Sequence, residues 1–177
     1  FASYYTASKL LIKGESVVDF YNDDWFSSKV EGYVPGVYEI YLVNLPTTAL
    51  VYLPIANFNY STAKIVWTIL NILLLTFVIG LIINRLNLKG SWLPLAFIIL
   101  LAFQPLYANI AFGQVYIFIF FLLFLAWFAY EAGNELVLGI SIGLMFILKT
   151  AGIFLLILLI IKKKWKSLLW FFALVLF

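Results

Sequence analysis

The residue most out of place in this sequence is Lys149. It stands in the middle of residues 136–161, an otherwise uncharged apolar run, about twelve residues from either end. A lysine at the centre of a membrane-spanning helix costs ~2.5–3.5 kcal/mol on insertion scales. So deep a position is out of snorkelling reach of either end. It reads as a cation that meets an anion, or as a solvated lysine at a turn between two short helices. Gln114, with Gly113, opens another apolar run. Its amide can bond a polar ligand, or simply start a helix. Asp19, Asp23 and Asp24 are the acids best placed ahead of the apolar region, with Glu15, Glu31 and Glu39 behind them; they read as solvated loop acids, or as groups that assist an acceptor. There is no His and no Cys. That excludes disulfides, thiolate chemistry and zinc sites of the usual ligand types, and it leaves a carboxylate as the general base of any mechanism. No acid cluster has the character of a metal site, so no metal is expected. Tyr4, Tyr5 and Trp25 offer a stacking surface, or interfacial anchors.

The elements that must position these residues are mostly membrane elements. Of 177 residues, 66% are hydrophobic and 11% charged, against ~45–50% and ~25% in a typical soluble domain. This chain has too little polar surface to coat a soluble globule of its size. The net charge of +3 comes mostly from one cluster, KKKWK at 162–166, and is no nucleic-acid footprint.

The first clear span is Ile65–Ile83, without a charge. The break NRLNLKGS (84–91) carries Arg85 and Lys89. A second span is expected from Trp92 to about Phe103. Residues 104–114, with Gln104-Pro105, Asn109 and Gly113, read as a turn. A third span, Val115–Tyr130, ends at EAGNE (131–135). The basic loop at 84–91 places that side in the cytoplasm and residues 1–63 outside. A single crossing by 136–161 would then put KKKWK outside, against the strongest charge signal. A hairpin folded back at Lys149 removes the conflict. Each half is only ~18 Å of helix, so neighbouring protein or a water-filled cavity must satisfy the exposed backbone. One tilted helix is the alternative.

The outer region reads as Ala2–Lys13, an amphipathic helix along the membrane surface ended by Gly14. A loop follows, ESVVDFYNDDWFSSKVEGYVPG. Then TTALVYL, bracketed by Pro46 and Pro54, is long enough for two helical turns, with Thr47 or Thr48 as its cap. Gly139 and Gly143 form a GxxxG for close helix packing. Asn59-Tyr60-Ser61 fits a glycosylation sequon by chance. Both ends look cut, so the chain reads as an internal piece of a larger polytopic protein.

Four ordered segments carry a resemblance. They are FASYYTASKLLIKG, LPTTALVYLPIA, GQVYIFIFFLLFLAW and GISIGLMFILKTAGIFLLILLIIKKKW. Together they resemble glycosyltransferase family 87, polytopic enzymes of the C-type membrane glycosyltransferase fold. The resemblance implies an all-α membrane protein, a polytopic helical bundle with a large outer loop carrying juxtamembrane helices. Residues 1–63 would form the extracytoplasmic loop and 64–177 the bundle, in the cell membrane and crossing it several times. It implies transfer of a hexose, mannose by analogy, from a polyprenyl-phosphate sugar to a lipid or glycan acceptor on the outer face. The catalytic aspartate is expected just upstream of Phe1. Lys149-Thr150-Ala151 matches the family's Lys, small residue, Pro, with Ala151 in place of the Pro. Leu45 stands where a second Pro is common.

Under that resemblance Lys149 and Gln114 would bind the donor lipid phosphate. Tyr4, Tyr5, Asp19, Asp23 and Asp24 would contact the acceptor or sugar. The expected partners are membrane lipids, a lipid-linked sugar donor and a glycan or glycolipid acceptor, with no nucleic acid and no cofactor. A transporter or flippase explains the broken helix and its lysine equally well. It explains the long aromatic outer region poorly. A membrane scaffold leaves Lys149 unexplained.

Overall fold

The computed structural model describes residues 1–42, 44–90, 94, 95, 98 and 102–176. All regular structure among them is helical. Helix α1 is Ala2–Ile12, α2 Asp23–Tyr33, α3 Tyr60–Arg85, α4 Gln104–Ala111, α5 Tyr116–Glu131, α6 Glu135–Lys149, α7 Ile153–Ile161 and α8 Trp165–Leu176. Two 3-10 segments, Asp19–Tyr21 and Pro46–Ile55, lie between the early helices. Asparagine starts three of the helices. Asn22, Asn59 and Asn134 accept from the backbone N–H groups of Trp25, Thr62 and Val137, each satisfying a first-turn donor that has no partner inside its helix.

Helix α3 has 26 residues and is long and apolar enough to cross a membrane. Among the described residues no other single helix meets that length and composition. Helices α4 and α5 meet it only as a pair, bent by 118°. The expected span from Trp92 to Phe103 lies mostly outside the described residues.

Two apolar cores organise the chain. The first joins α1, α2, the Pro46–Ile55 segment and the start of α3 around Tyr41, Tyr52, Phe20 and Phe26. The second joins α5, α6, α7 and α8 around Ile142, Met145, Leu159 and Phe171.

The run 136–161 folds back. Helix α6 ends at Lys149, Thr150 and Gly152 take positive φ (52° and 80°), and α7 begins at Ile153. Gly152 then lies against Met145 and Ile142, and Leu155 and Leu159 share a groove with Ile142 and Leu138. The return brings Lys164 to 3.3 Å from Glu135. Helix α8 then runs parallel to α6. A Cβ on Gly139 would collide with the Ser167 carbonyl, and one on Gly143 would sit 2.8 Å from Leu174 Cδ2. The GxxxG is therefore the seam between α6 and α8. A second ion pair, Arg85–Glu131 at 2.6 Å, places the end of α3 beside the end of α5. Arg85, Glu131, Glu135 and Lys164 thus share one end of the bundle, and Lys149 lies at the other.

Several local expectations are corrected. Helix α1 does not lie on a surface with one face free. Residues Ala2–Ser8 and Leu10 are buried, because small Ala2, Ser3, Ala7 and Ser8 let neighbours approach from every side. Ser8 donates to Ala49 O at 2.6 Å. The expected loop at 15–36 contains α2, with Asp23 and Asp24 in its first turn, where the helix dipole favours acids. The expected turn at 104–114 is mostly α4, because Pro105 suits a first helical turn. TTALVYL winds as 3-10 between its prolines, with no side-chain cap. The Asn59 side chain is engaged as the α3 cap.

Candidate active site

The site begins at the C-terminus of α6. The last four carbonyls of an α-helix have no partner inside it, and here each finds one. Thr150 N donates to Phe146 O at 2.7 Å. Thr47 Oγ1 donates to Ile147 O and Thr48 Oγ1 to Leu148 O. Thr150 Oγ1 donates to Lys149 O at 2.6 Å. The two threonines therefore dock the Pro46–Ile55 segment onto the end of α6. This docking carries Asn44, three residues before Thr47, to the lysine. Lys149 Nζ donates to Asn44 Oδ1 at 2.5 Å.

A second helix end builds the other wall. Helix α4 closes with Gly113 at φ 57°. Gly113 N donates to Ile110 O and Gln114 N to Asn109 O, the paired bonds of a Schellman cap, whose left-handed position glycine fills without a Cβ penalty. The Gly113 carbonyl accepts from Tyr52 Oη at 2.8 Å and from Trp67 Nε1 at 3.0 Å. Gln114 is held at the mouth of α5 by this anchor. Tyr4 Oη lies 2.6 Å from Gln114 Oε1 and 3.1 Å from Asn44 Oδ1, and its single hydrogen serves one of them at a time. The Tyr4 ring stacks on Tyr52, centroids 4.9 Å apart and parallel within 1°. Burial raises the Tyr4 hydroxyl well above the ordinary tyrosine value, so it acts as a neutral donor.

These groups surround a cavity of about 380 Å³ lined by Phe1, Ser3, Tyr4, Glu39, Asn44, Gln114, Tyr116 and Lys149, among others. The Lys149 ammonium sits 5.6 Å from the Tyr4 ring centre and 5.7 Å from that of Tyr116, within cation–π range. Among the described residues no carboxylate lies within 4 Å of it. One of its three N–H donors goes to Asn44, which leaves two for an anion. Among the described residues the carboxylate that lines the cavity is that of Glu39, which accepts from Ser3 N at 2.7 Å and so holds the first turn of α1.

The structure thus brings Lys149, Gln114 and Tyr4 together. Tyr5 points elsewhere, donating to Phe58 O at 2.8 Å and packing on Phe1, Tyr33 and Tyr60. Asp19, Asp23 and Asp24 do not line the cavity. They sit at the 3-10 turn and the first turn of α2. Asn44 and Tyr116 join the cavity without having stood out in the sequence.

Phe112, Gln114 and Tyr116 line both the polar cavity and an apolar groove of about 520 Å³ between α4 and α5, the groove lined also by Leu75, Pro105, Leu106, Ile117 and Phe120. A half-buried cation with spare donors beside an apolar groove suits a ligand with an anionic head and a hydrocarbon tail.

Comparison with known proteins agrees with a transferase. Neither curated proteins nor solved structures give a match to the chain. The family model of glycosyltransferase family 87 matches residues 43–177, from the residue before Asn44 to the end of α8 and beyond. Residues 1–42, which hold the first of the four resembling segments and Tyr4, lie outside that match. With Asn44, the two docking threonines, Gln114 and Lys149 all inside it, the chain belongs to glycosyltransferase family 87.

Proposed function

We propose that the chain carries the site of a polytopic membrane glycosyltransferase of the C-type architecture. Its donor is a polyprenyl-phosphate hexose, mannose by the family resemblance, and its acceptor a lipid or glycan hydroxyl at the outer face. The supporting observation is that Gln114 and Tyr116 line both the Lys149 cavity and the apolar groove between α4 and α5. The sugar and phosphate would occupy the cavity, and the polyprenyl chain would follow the groove into the membrane.

The chemistry assigned to this geometry is one inverting displacement. The acceptor oxygen attacks the anomeric carbon as the bond from that carbon to the phosphate oxygen breaks. The acceptor proton passes to a carboxylate, and the lipid leaves as a phosphate monoester. Negative charge grows on the phosphate during this step. Two free donors of Lys149 and the Gln114 amide would meet it, and a preformed donor is worth most where charge develops. The base is the carboxylate that the family resemblance places immediately ahead of Phe1, beside Glu39, which accepts from Ser3 N. In that reading Glu39 orients the start of α1. A second reading makes Glu39 itself the base, since its side chain lines the cavity.

One variant separates these readings. Glu39→Gln keeps an acceptor for Ser3 N and removes the base. Under the first reading it retains most transfer activity. A loss of ~10²–10⁴-fold, the usual worth of a positioned base, would assign the base to Glu39. Transfer of labelled hexose from a polyprenyl-phosphate donor, in membranes carrying the protein, is the assay for both.

A further inference from the structure

The end of the bundle away from Lys149 carries charge that the transfer reaction does not use. Arg85, Lys89, Lys162, Lys163, Lys164 and Lys166 gather there with Glu131 and Glu135. Arg85 is taken by Glu131 and Lys164 by Glu135. Among the described residues Lys162, Lys163 and Lys166 have no carboxylate partner within 4 Å, and all three are exposed. Lys163 has φ 54°. Its N–H donates to Ile160 O and that of Lys164 to Leu159 O, so it holds the left-handed cap position after α7 that glycine fills most readily. Here a lysine stands there and projects from the turn.

Beside this turn lies a second apolar groove, of about 330 Å³, between α5, α6 and α7. Leu123, Leu155 and Leu158 line its length. Trp127, Tyr130 and Glu131 close the end nearest the lysines. Lys164 Nζ lies 5.6 Å from the centre of the Tyr130 ring, which ties the basic turn to the groove mouth. Trp127 and Trp165 are both exposed at this end, as aromatic residues are at a bilayer–water boundary.

We propose that this groove and the 162–166 turn form a binding site for one anionic phospholipid of the cytoplasmic leaflet. An acyl chain would lie between α5 and α7, and the headgroup phosphate would bond Lys162 and Lys163. The site rests on the membrane reading of the bundle and is independent of which sugar is transferred. Charge complementarity selects an anionic lipid over a zwitterionic one. The groove selects a single seated lipid over a diffuse surface cloud.

The test uses the purified protein in detergent. Binding of phosphatidylglycerol and of phosphatidylcholine is measured by native mass spectrometry. Phosphatidylglycerol is expected to bind more tightly. The double variant K162Q/K163Q is expected to lose roughly 30-fold, about 2 kcal/mol, of that affinity, and K162R/K163R to keep it. Leu158→Trp narrows the groove without touching charge and is expected to weaken the same lipid. Equal binding of both lipids would overturn the proposal. Loss in K162Q/K163Q with full binding in Leu158→Trp would replace the seated lipid by a surface contact and also overturn it. Alkaline extraction of the protein from its membranes would instead defeat the membrane reading beneath it.

Discussion

Lys149 is held from three directions, by the Asn44 oxygen and by the faces of Tyr4 and Tyr116. Its ammonium is therefore positioned before any ligand arrives. Lys149→Ala is expected to reduce transfer ~10²–10³-fold with protein level unchanged, read by activity in membranes normalised to immunoblot. Asn44→Ala removes the bond that aims the ammonium and leaves the charge. A hydrogen bond to a charged group is worth ~1.5–3 kcal/mol, so transfer should fall about 10–100-fold, mostly in kcat. Burial raises the hydroxyls of Tyr4, Tyr41 and Tyr52 above the ordinary 10.0. The unfolded chain loses these protons first as pH rises. Their contribution to stability is thus whole below about pH 10 and declines above it, which thermal unfolding in detergent across pH 7–11 would register. Lys149 was legible in the sequence because a charge amid apolar residues is conspicuous. Asn44 was not, because nothing near position 44 indicates a partner 105 residues away.

The partnership arises at the scale of elements. Thr47 and Thr48 read as candidate caps for their own segment, but their hydroxyls finish α6 instead. Local rules identify a residue able to satisfy a free carbonyl or N–H; they do not say which helix supplies it. Replacing both threonines with valine leaves two carbonyls buried and unpaired, at ~1–3 kcal/mol each. The expected result is a lower Tm and a loss of transfer larger than Asn44→Ala alone, since the docking that delivers Asn44 is lost. The seam of α6 and α8 is the reverse case. Its two glycines at i, i+4 were legible as a packing face, and only α8 as partner was new. Gly139→Val must push the helices apart against backbone. It is expected to reduce the folded yield, seen as a loss of the monodisperse peak in size-exclusion chromatography. Helix α2 and the burial of α1 were hidden for a related reason. An acid-rich stretch with scattered aromatics has no clean helical period, and its helix is fixed by the Asn22 cap and by Phe26 and Val30 entering the first core.

At the scale of the molecule, the charge pattern and the fold meet at the hairpin. A single crossing by 136–161 would set KKKWK opposite the basic loop at 84–91. The fold-back at Thr150–Gly152 puts Lys164 beside Glu135 and leaves Lys149 at the end that faces residues 1–63. The chain has no Cys, so single introduced cysteines report topology cleanly. In sealed vesicles, Ala132→Cys and Lys163→Cys should react with an impermeant maleimide from one side, and Ser28→Cys from the other. In the proposed function the Lys149 cavity receives the phosphate of a lipid-linked sugar. The most direct test of this role is transfer of labelled mannose from polyprenyl-phosphate-mannose in membranes carrying the protein or its Lys149→Ala variant, repeated with a panel of other polyprenyl-phosphate hexoses. Label is expected to enter an acceptor with at least one donor, and to be lost in the variant. Transfer that survives intact in Lys149→Ala would contradict it.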